Sequence, residues 1–217
     1  MKVRWLGHSA VMLEGSKKIL IDPFLTGNPA AAIAAKDVTE CDFVVVTHGH
    51  GDHIGDAFDI AEATGATVVS IFEVTSEAEG KGLPVEPMNI GGSIETGGVR
   101  FSMVAATHSS PGSAPTGMIV EMDGKTVYHM GDTGLMADMA LLPEFFDIDL
   151  VLVPCGDRFT MGAPSAAKAV EMVKAKRAVP IHYGTFPVID ASPDRFARLA
   201  RKHTDVLVMK PGDQFDM

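Results

Sequence analysis

Between residues 47 and 53 the chain reads Thr-His-Gly-His-Gly-Asp-His, placing three imidazoles and a carboxylate, His48, His50, Asp52 and His53, inside six positions. Imidazole with one carboxylate suits zinc, iron, nickel or manganese, whereas calcium and magnesium prefer shells of oxygen. Gly49 and Gly51 alternate with the donors, so the backbone there can fold tightly with no side chain in the way. A polar loop whose histidines merely cluster is the plainer reading. Four metal-type donors at this spacing point instead to a metal site.

Such donors must be held by rigid elements, and the flanking sequence supplies them. Cys41 to Val46 is a short, mostly apolar, β-branched run that predicts a buried strand. Ile54, Ala57, Phe58 and Ala61 recur at helical spacing and predict a helix over 54–64. Upstream, 2–7, 10–14 and 17–21 read as strands, the third stopped by Pro23 after Asp22. Asp22 either caps that turn or orients a metal-binding histidine from behind. The alanine-rich 28–36 reads as a short helix or lid. Strands at 66–70 and 85–89 flank a glutamate-rich helix at 72–81, and a hairpin-like piece leads into a strand over 99–106.

The second half repeats the scheme loosely. Asp123-Gly124 is a strong type I′ hairpin signal between strands at 117–122 and 125–130. A helix over 135–142, a strand over 149–154, a helix beginning near Pro164, a strand over 177–181, a helix over 195–202 and a last strand over 206–209 follow. His108, Asp132 and His182 each fall just after one of these apolar strands, as the motif itself does. In a sheet-based fold such strand ends can gather on one edge, where α/β sites usually lie. Seven ligand-type groups therefore share a place to meet.

His-x-His-x-Asp-His after an apolar strand resembles the signature of the metallo-β-lactamase superfamily. His108, Asp132 in Gly131-Asp132-Thr133, and His182 resemble that superfamily's remaining motifs. Trp5-Leu6-Gly7-His8-Ser9, Ile19 to Phe24, Thr47 to Asp56, Gly156 to Gly162 and Ile181 to Pro187 resemble one group within it. That group is the metal-dependent hydrolases of unsettled substrate, close to the ascorbate-6-phosphate lactonases. Gly162-Ala163-Pro164-Ser165 departs from the acidic sequence expected there.

The resemblance implies an α/β (α+β) fold, a four-layer αββα sandwich of two mixed β-sheets, as one domain over 1–217. It implies two divalent ions, zinc first with manganese, iron or nickel as alternatives. One would take His48, His50 and His108, the other Asp52, His53 and His182, with Asp132 shared. The expected function is hydrolysis of a small ester, lactone or phosphoester by a hydroxide bridging the two metals. The alternatives are a nuclease or phosphodiesterase, a thioester hydrolase, and a non-catalytic metal-binding domain. Asp52 is also expected to relay a proton, His8 to sit in the pocket, and Tyr183 to bind substrate or protonate a leaving group. Asp157 and Arg158 share that last expectation or form a local salt bridge. His129 is expected behind the ligands or buried, His203 solvated, and Met130, Met136 and Met139 in the core.

Composition bounds the partners. With 46% hydrophobic and 21% charged residues and a mean hydropathy of +0.17, the chain has enough apolar material for a core. A formal net charge of −10 argues against a nucleic-acid backbone as partner, which calls for clustered Lys and Arg. The expected partner is a small-molecule substrate, with no nucleic acid and no membrane, and a homo-oligomer is left open. No apolar run approaches membrane-spanning length, so a soluble cytoplasmic protein is expected. Cys41 and Cys155 lie beside apolar runs and are expected to be two buried thiols.

Overall fold

Near-continuous apolar runs let a strand bury both faces, and here they build two sheets, described for residues 1–217 by a computed structural model. The first sheet contains β1 (Lys2–Gly7), β2 (Ala10–Glu14), β3 (Lys18–Ile21), β4 (Phe43–Val45), β5 (Thr67–Ile71) and β6 (Val85–Met88). The second contains β7 (Ser93–Thr96), β8 (Val99–Ala105), β9 (Thr116–Met122), β10 (Lys125–His129), β11 (Leu150–Pro154), β12 (Arg177–Ile181) and β13 (Asp205–Val206). A final strand, β14 (Gln214–Asp216), returns to the first sheet beside β1. The orders are β14-β1-β2-β3-β4-β5-β6 and β13-β12-β11-β10-β9-β8-β7, and both sheets are mixed.

Two apolar clusters show how the layers stack. Leu150 and Leu152 of β11 join the larger core, which also holds Leu13, Val44 and Val68 of the first sheet. Their neighbours Val151 and Val153 face the other way, into a second cluster with Ala166, Val170 and Phe196. Those last residues belong to α4 (Ala163–Val173) and α5 (Pro193–Ala200), which cover the outside of the second sheet. Helices α2 (Ala57–Thr64) and α3 (Phe72–Gly80) contact β4, β5 and β6 on the first. The result is the expected αββα sandwich.

Strand direction decides where the chemistry collects. β1 and β3 run parallel to β4, because each pairs antiparallel with β2 and β3 is parallel to β4. β8, β10, β11 and β12 likewise share one direction. Their carboxyl ends therefore form one edge in each sheet, and cross-sheet hydrogen bonds lock the two edges together. Thr116 donates to the Thr47 carbonyl through its backbone N–H at 3.1 Å and its hydroxyl at 2.7 Å. The His182 N–H donates to the His8 carbonyl at 3.0 Å.

Several local expectations change. The helix predicted over 54–64 breaks at Gly55 (φ +39°), giving a single turn, α1 (Gly51–Ile54), and then α2. A Cβ at Gly55 would lie 2.5 Å from the Pro23 carbonyl, so the chain crosses there only as glycine. Residues 28–34 form turns rather than a helix. The Asn28 side chain accepts from the Ala30 N–H and donates to the Phe24 carbonyl, competing with helical bonding, and Pro29 has no N–H to give. The helix predicted over 135–142 is a 3-10 stretch, Ala137–Glu144, with Pro143 inside it. The last predicted strand shrinks to the two residues of β13, while β14, which has no apolar run, is formed by pairing with β1. At the hairpin, Asp123 (φ +54°) and Gly124 (φ +69°) adopt the two positive angles that a type I′ turn needs. Cys41 and Cys155 are both free and buried, and burial lifts the thiols to about 11 and about 12. No helix is long and apolar enough to cross a membrane.

Candidate metal centre

The loop after β4 carries His48 and His50, and α1 presents Asp52 and His53 one turn on. His108 follows β8, Asp132 follows β10 and His182 follows β12. Asp132 sits at the middle, only 3% exposed. Its Oδ1 lies 3.3 Å from His53 Nε2, and its Oδ2 lies 3.1 Å from His182 Nε2 and 3.4 Å from His108 Nε2. His48 Nε2 and His50 Nδ1 face each other at 3.0 Å. The structure thus brings all seven residues singled out in the sequence into one cluster.

Ring nitrogens and carboxylate oxygens converging this way fit a metal. His53 Nε2, Asp132 Oδ1 and both ring nitrogens of His182 are buried with no hydrogen-bond partner, which is costly for a site meant to hold nothing. Three sets place one donor atom each within 4.8 Å of the others: His48, His50 and His108; His8, Asp52, His53 and His182; and His48, His53 and Asp132. Asp132 reaches His108 of the first set and His53 and His182 of the second, and the third set joins it to His48. Nitrogen donors with few carboxylates match zinc and its first-row neighbours.

The residues behind the donors set their orientation. Asp22 is fully buried at the end of β3 and accepts from three groups: the Thr47 N–H at 2.8 Å, the Thr47 hydroxyl at 2.7 Å and His53 Nδ1 at 2.7 Å. That last bond turns His53 Nε2 toward Asp132. Burial alone would push the Asp22 carboxyl up, but the His53 ring holds it below the usual range. Burial likewise opposes charge on His53, yet Asp132 and Asp22 on its two sides raise it well above an ordinary histidine. For His48, burial and then the nearby His53 ring outweigh the same two carboxylates and drive it down to about 3. The alternative reading of Asp22 as a mere turn cap is replaced by this orienting contact.

His8 is also fully buried. Its Nε2 lies 3.1 Å from Asp52 Oδ2 and its Nδ1 2.8 Å from the Thr185 hydroxyl. Burial lowers it to about 4. For Asp52 burial would raise the carboxyl, but the hydrogen bond with His8 and the His53 ring hold it below the usual range. His8, Asp22 and His182 all sit at positive φ, +55°, +46° and +55°, where a non-glycine residue is strained. The surrounding hydrogen bonds hold these turns in place; the His8 carbonyl alone accepts from both Trp5 Nε1 and the His182 N–H.

The loops bearing His108 and Asp132 are laced together: the Thr107 N–H donates to the Thr133 hydroxyl and the Gly134 N–H to the Thr107 carbonyl. Gly131 (φ +62°) makes the turn before Asp132, and a Cβ there would lie 2.3 Å from the Thr116 carbonyl. Gly131→Ala is therefore expected to destabilise the protein by about 3 kcal/mol, from left-handed strain plus overpacking. Thermal unfolding with and without zinc measures it, and an unchanged midpoint would contradict this packing.

Other sequence candidates fall outside the cluster. The Tyr183 hydroxyl donates to the Met209 carbonyl at 3.2 Å, its ring packs on Trp5, and burial raises its pKa. The expected proton donor is thus an anchor for the C-terminal segment. Tyr183→Phe should leave metal content and turnover within about twofold of wild type and cost about 1 kcal/mol of stability; a large loss of kcat at full metal content would restore its catalytic role. His129 is buried, donating through Nε2 to the Ser9 carbonyl while Nδ1 accepts from the Gly131 N–H, so it shapes the Asp132 turn. His203 pairs with Glu171 at 3.4 Å rather than standing free in solvent. Arg158 lays its guanidinium over the Phe159 ring. Met130 and Met139 are core residues and Met136 packs against them. Thr47, Thr133 and Thr185, which position these donors, carry no signal of their own in one sequence beyond lying next to it.

Comparison with known proteins bears on the family and the fold. Residues 17–183 match the model of the beta-lactamase superfamily domain. A UPF0173 metal-dependent hydrolase from Pyrococcus abyssi is 46% identical over 225 residues, covering 100% of both chains. Another from Methanopyrus kandleri is 45% identical over 230 residues, again covering 100% of both. Among solved structures, a metallo hydrolase from the archaeon Ignicoccus hospitalis superposes with a TM-score of 0.93 at 38% identity, covering 100% of this chain and 98% of that one. An isothiocyanate hydrolase from Delia radicum gut bacteria shares the fold at 18% identity, with a TM-score of 0.81 and coverage of 100% and 99%. The chain belongs to the UPF0173 metal-dependent hydrolases of the β-lactamase superfamily.

Proposed function

We propose that residues 1–217 act as one hydrolase domain that cleaves a small ester, lactone or phosphoester with two divalent cations, zinc foremost. The observation that carries this reading is the position of Asp132 between two sets of donors, with buried nitrogens and oxygens lacking any other partner. His48, His50 and His108 would hold one cation, Asp52, His53 and His182 the other, and Asp132 both. Bound there, the cations supply Lewis acidity toward a substrate oxygen and bring a shared water's pKa toward neutrality.

The chain's own residues do the rest. Asp22 fixes the His53 ring so that Nε2 faces the cluster. The Thr185 hydroxyl donates to His8 Nδ1, leaving the Nε2–H to donate to Asp52 Oδ2 and keep that carboxylate anionic. Asp52 then relays the proton that the attacking water gives up to the leaving oxygen. The strained turns at His8 and His182 are joined by their backbone hydrogen bond, which preorganises both sheet edges before substrate arrives.

Zinc-loaded protein, assayed against nitrophenyl esters, lactones, thioesters and bis(4-nitrophenyl) phosphate, should turn over at least one class. Chelation should abolish that turnover and zinc restore it. Full metal occupancy with no turnover on any class would favour a non-catalytic metal-binding domain.

A further inference from the structure

Two features of the site's surroundings constrain what it accepts. The first is aromatic. Phe24 and Phe186, both partly exposed, flank His8 with ring centroids at 5.8 Å and 5.7 Å, and lie 6.3 Å from each other. His8 in turn touches Asp52 and lies 4.1 Å from the His182 ring, so this aromatic pair borders the Asp52, His53 and His182 side of the centre. Neither ring is demanded by the fold's main cores, since neither is among their buried members. Exposed apolar side chains also occur in the loops that follow these strand ends. Leu135, three residues after Asp132, is 42% exposed; Phe159, in the loop after β11, is 55% exposed; Val188, six residues after His182, is 50% exposed.

The second feature is charge. Across the connections that leave the site-bearing strand ends, residues 22–42, 47–56, 106–116, 131–149, 155–162 and 182–192, the Lys and Arg residues are Lys36 and Arg158 alone. Beyond the two cations of the reading above, a substrate carrying a phosphate monoester would find no cluster of cationic or fork-shaped donors here. The edge offers apolar surface instead.

We infer that Phe24 and Phe186 form an aromatic wall that selects uncharged esters or lactones with an apolar acyl chain over phosphorylated substrates. This rests on the hydrolase reading above and narrows its substrate class. The wall gains affinity by removing the acyl chain from water. The bond cleaved is the acyl C–O bond: water's oxygen adds to the acyl carbon, the alkoxide leaves and is protonated, and a carboxylic acid is released.

The test uses full-length, zinc-loaded protein and 4-nitrophenyl esters from acetate to hexanoate, with 4-nitrophenyl phosphate as the charged comparator. In wild type kcat/KM should rise about twofold to fourfold per added methylene, the range for partial to full burial. Phe186→Ala and Phe24→Ala should flatten that series, mainly through KM, at unchanged zinc content, while Phe186→Leu keeps the slope and controls for folding. Hexanoate, titrated calorimetrically into the zinc-loaded proteins, should bind about tenfold more weakly to the two alanine variants than to wild type. A flat ester series in wild type, a preference for the phosphate, or alanine variants that keep the full slope would overturn the wall while leaving the hydrolase reading in place. Hexanoate binding that depends on Phe186, with no ester, lactone or phosphate turned over, would keep the wall and overturn the hydrolase reading.

Discussion

Asp132→Ala should lower zinc content at saturation from about two ions per chain to about one or fewer, and cut turnover by more than about 100-fold. Asp132 is the one residue whose two oxygens reach donors from both sets, His53 through Oδ1 and His108 and His182 through Oδ2. Removing it leaves five imidazoles and Asp52 to hold two cations without an anion between them. Like charges a few ångströms apart repel strongly when little water lies between them, and Asp132 is almost fully buried. Replacing it with Asn separates size from charge: the shape is kept and the loss should be nearly as large. Metal analysis by mass spectrometry reads both variants, and two firmly held ions in Asp132→Ala would show that the carboxylate is not shared.

Asp22→Asn should act differently, weakening zinc binding about 10- to 100-fold without changing the count at saturation. Asn tolerates the left-handed backbone that Asp22 adopts, so the turn itself survives. Its amide oxygen can still accept from the Thr47 N–H. Its NH2, however, replaces the oxygen that accepts from the Thr47 hydroxyl and from His53 Nδ1. His53 then loses the acceptor that fixes its tautomer, and a buried donor pair is set against itself, at a cost of about 1–3 kcal/mol in the metal-free protein. Competition with a zinc chelator measures the affinity. Wild-type affinity in this variant would mean that His53 needs no orienting partner.

The donors were legible in the sequence because each sits directly after an apolar strand, where residue type and position say the same thing. His108, Asp132 and His182 are unremarkable singly; their shared relation to strand ends predicted the cluster, and parallel strand direction in each sheet realises it. What positions the donors was less legible. Thr185 reaches His8 across 177 residues of sequence, and Thr116 reaches Thr47 across 69, so no local pattern could report either contact. Tyr183 illustrates the opposite error: adjacent to His182 in the chain, it turns its hydroxyl to Met209 instead. Local breaks were missed for a similar reason. Periodicity over 54–64 is helical, but Gly55 is pinned against Pro23, a contact set by the tertiary fold. β14 forms only because β1 offers it an edge.

The central claim is that seven side chains hold two cations on either side of Asp132. A crystal grown in zinc, with anomalous scattering recorded at the zinc edge, tests it directly. The account predicts two peaks, one among His48, His50 and His108 and the other among Asp52, His53 and His182, with Asp132 touching both. A single peak at full zinc loading, or a second peak away from these residues, would contradict it.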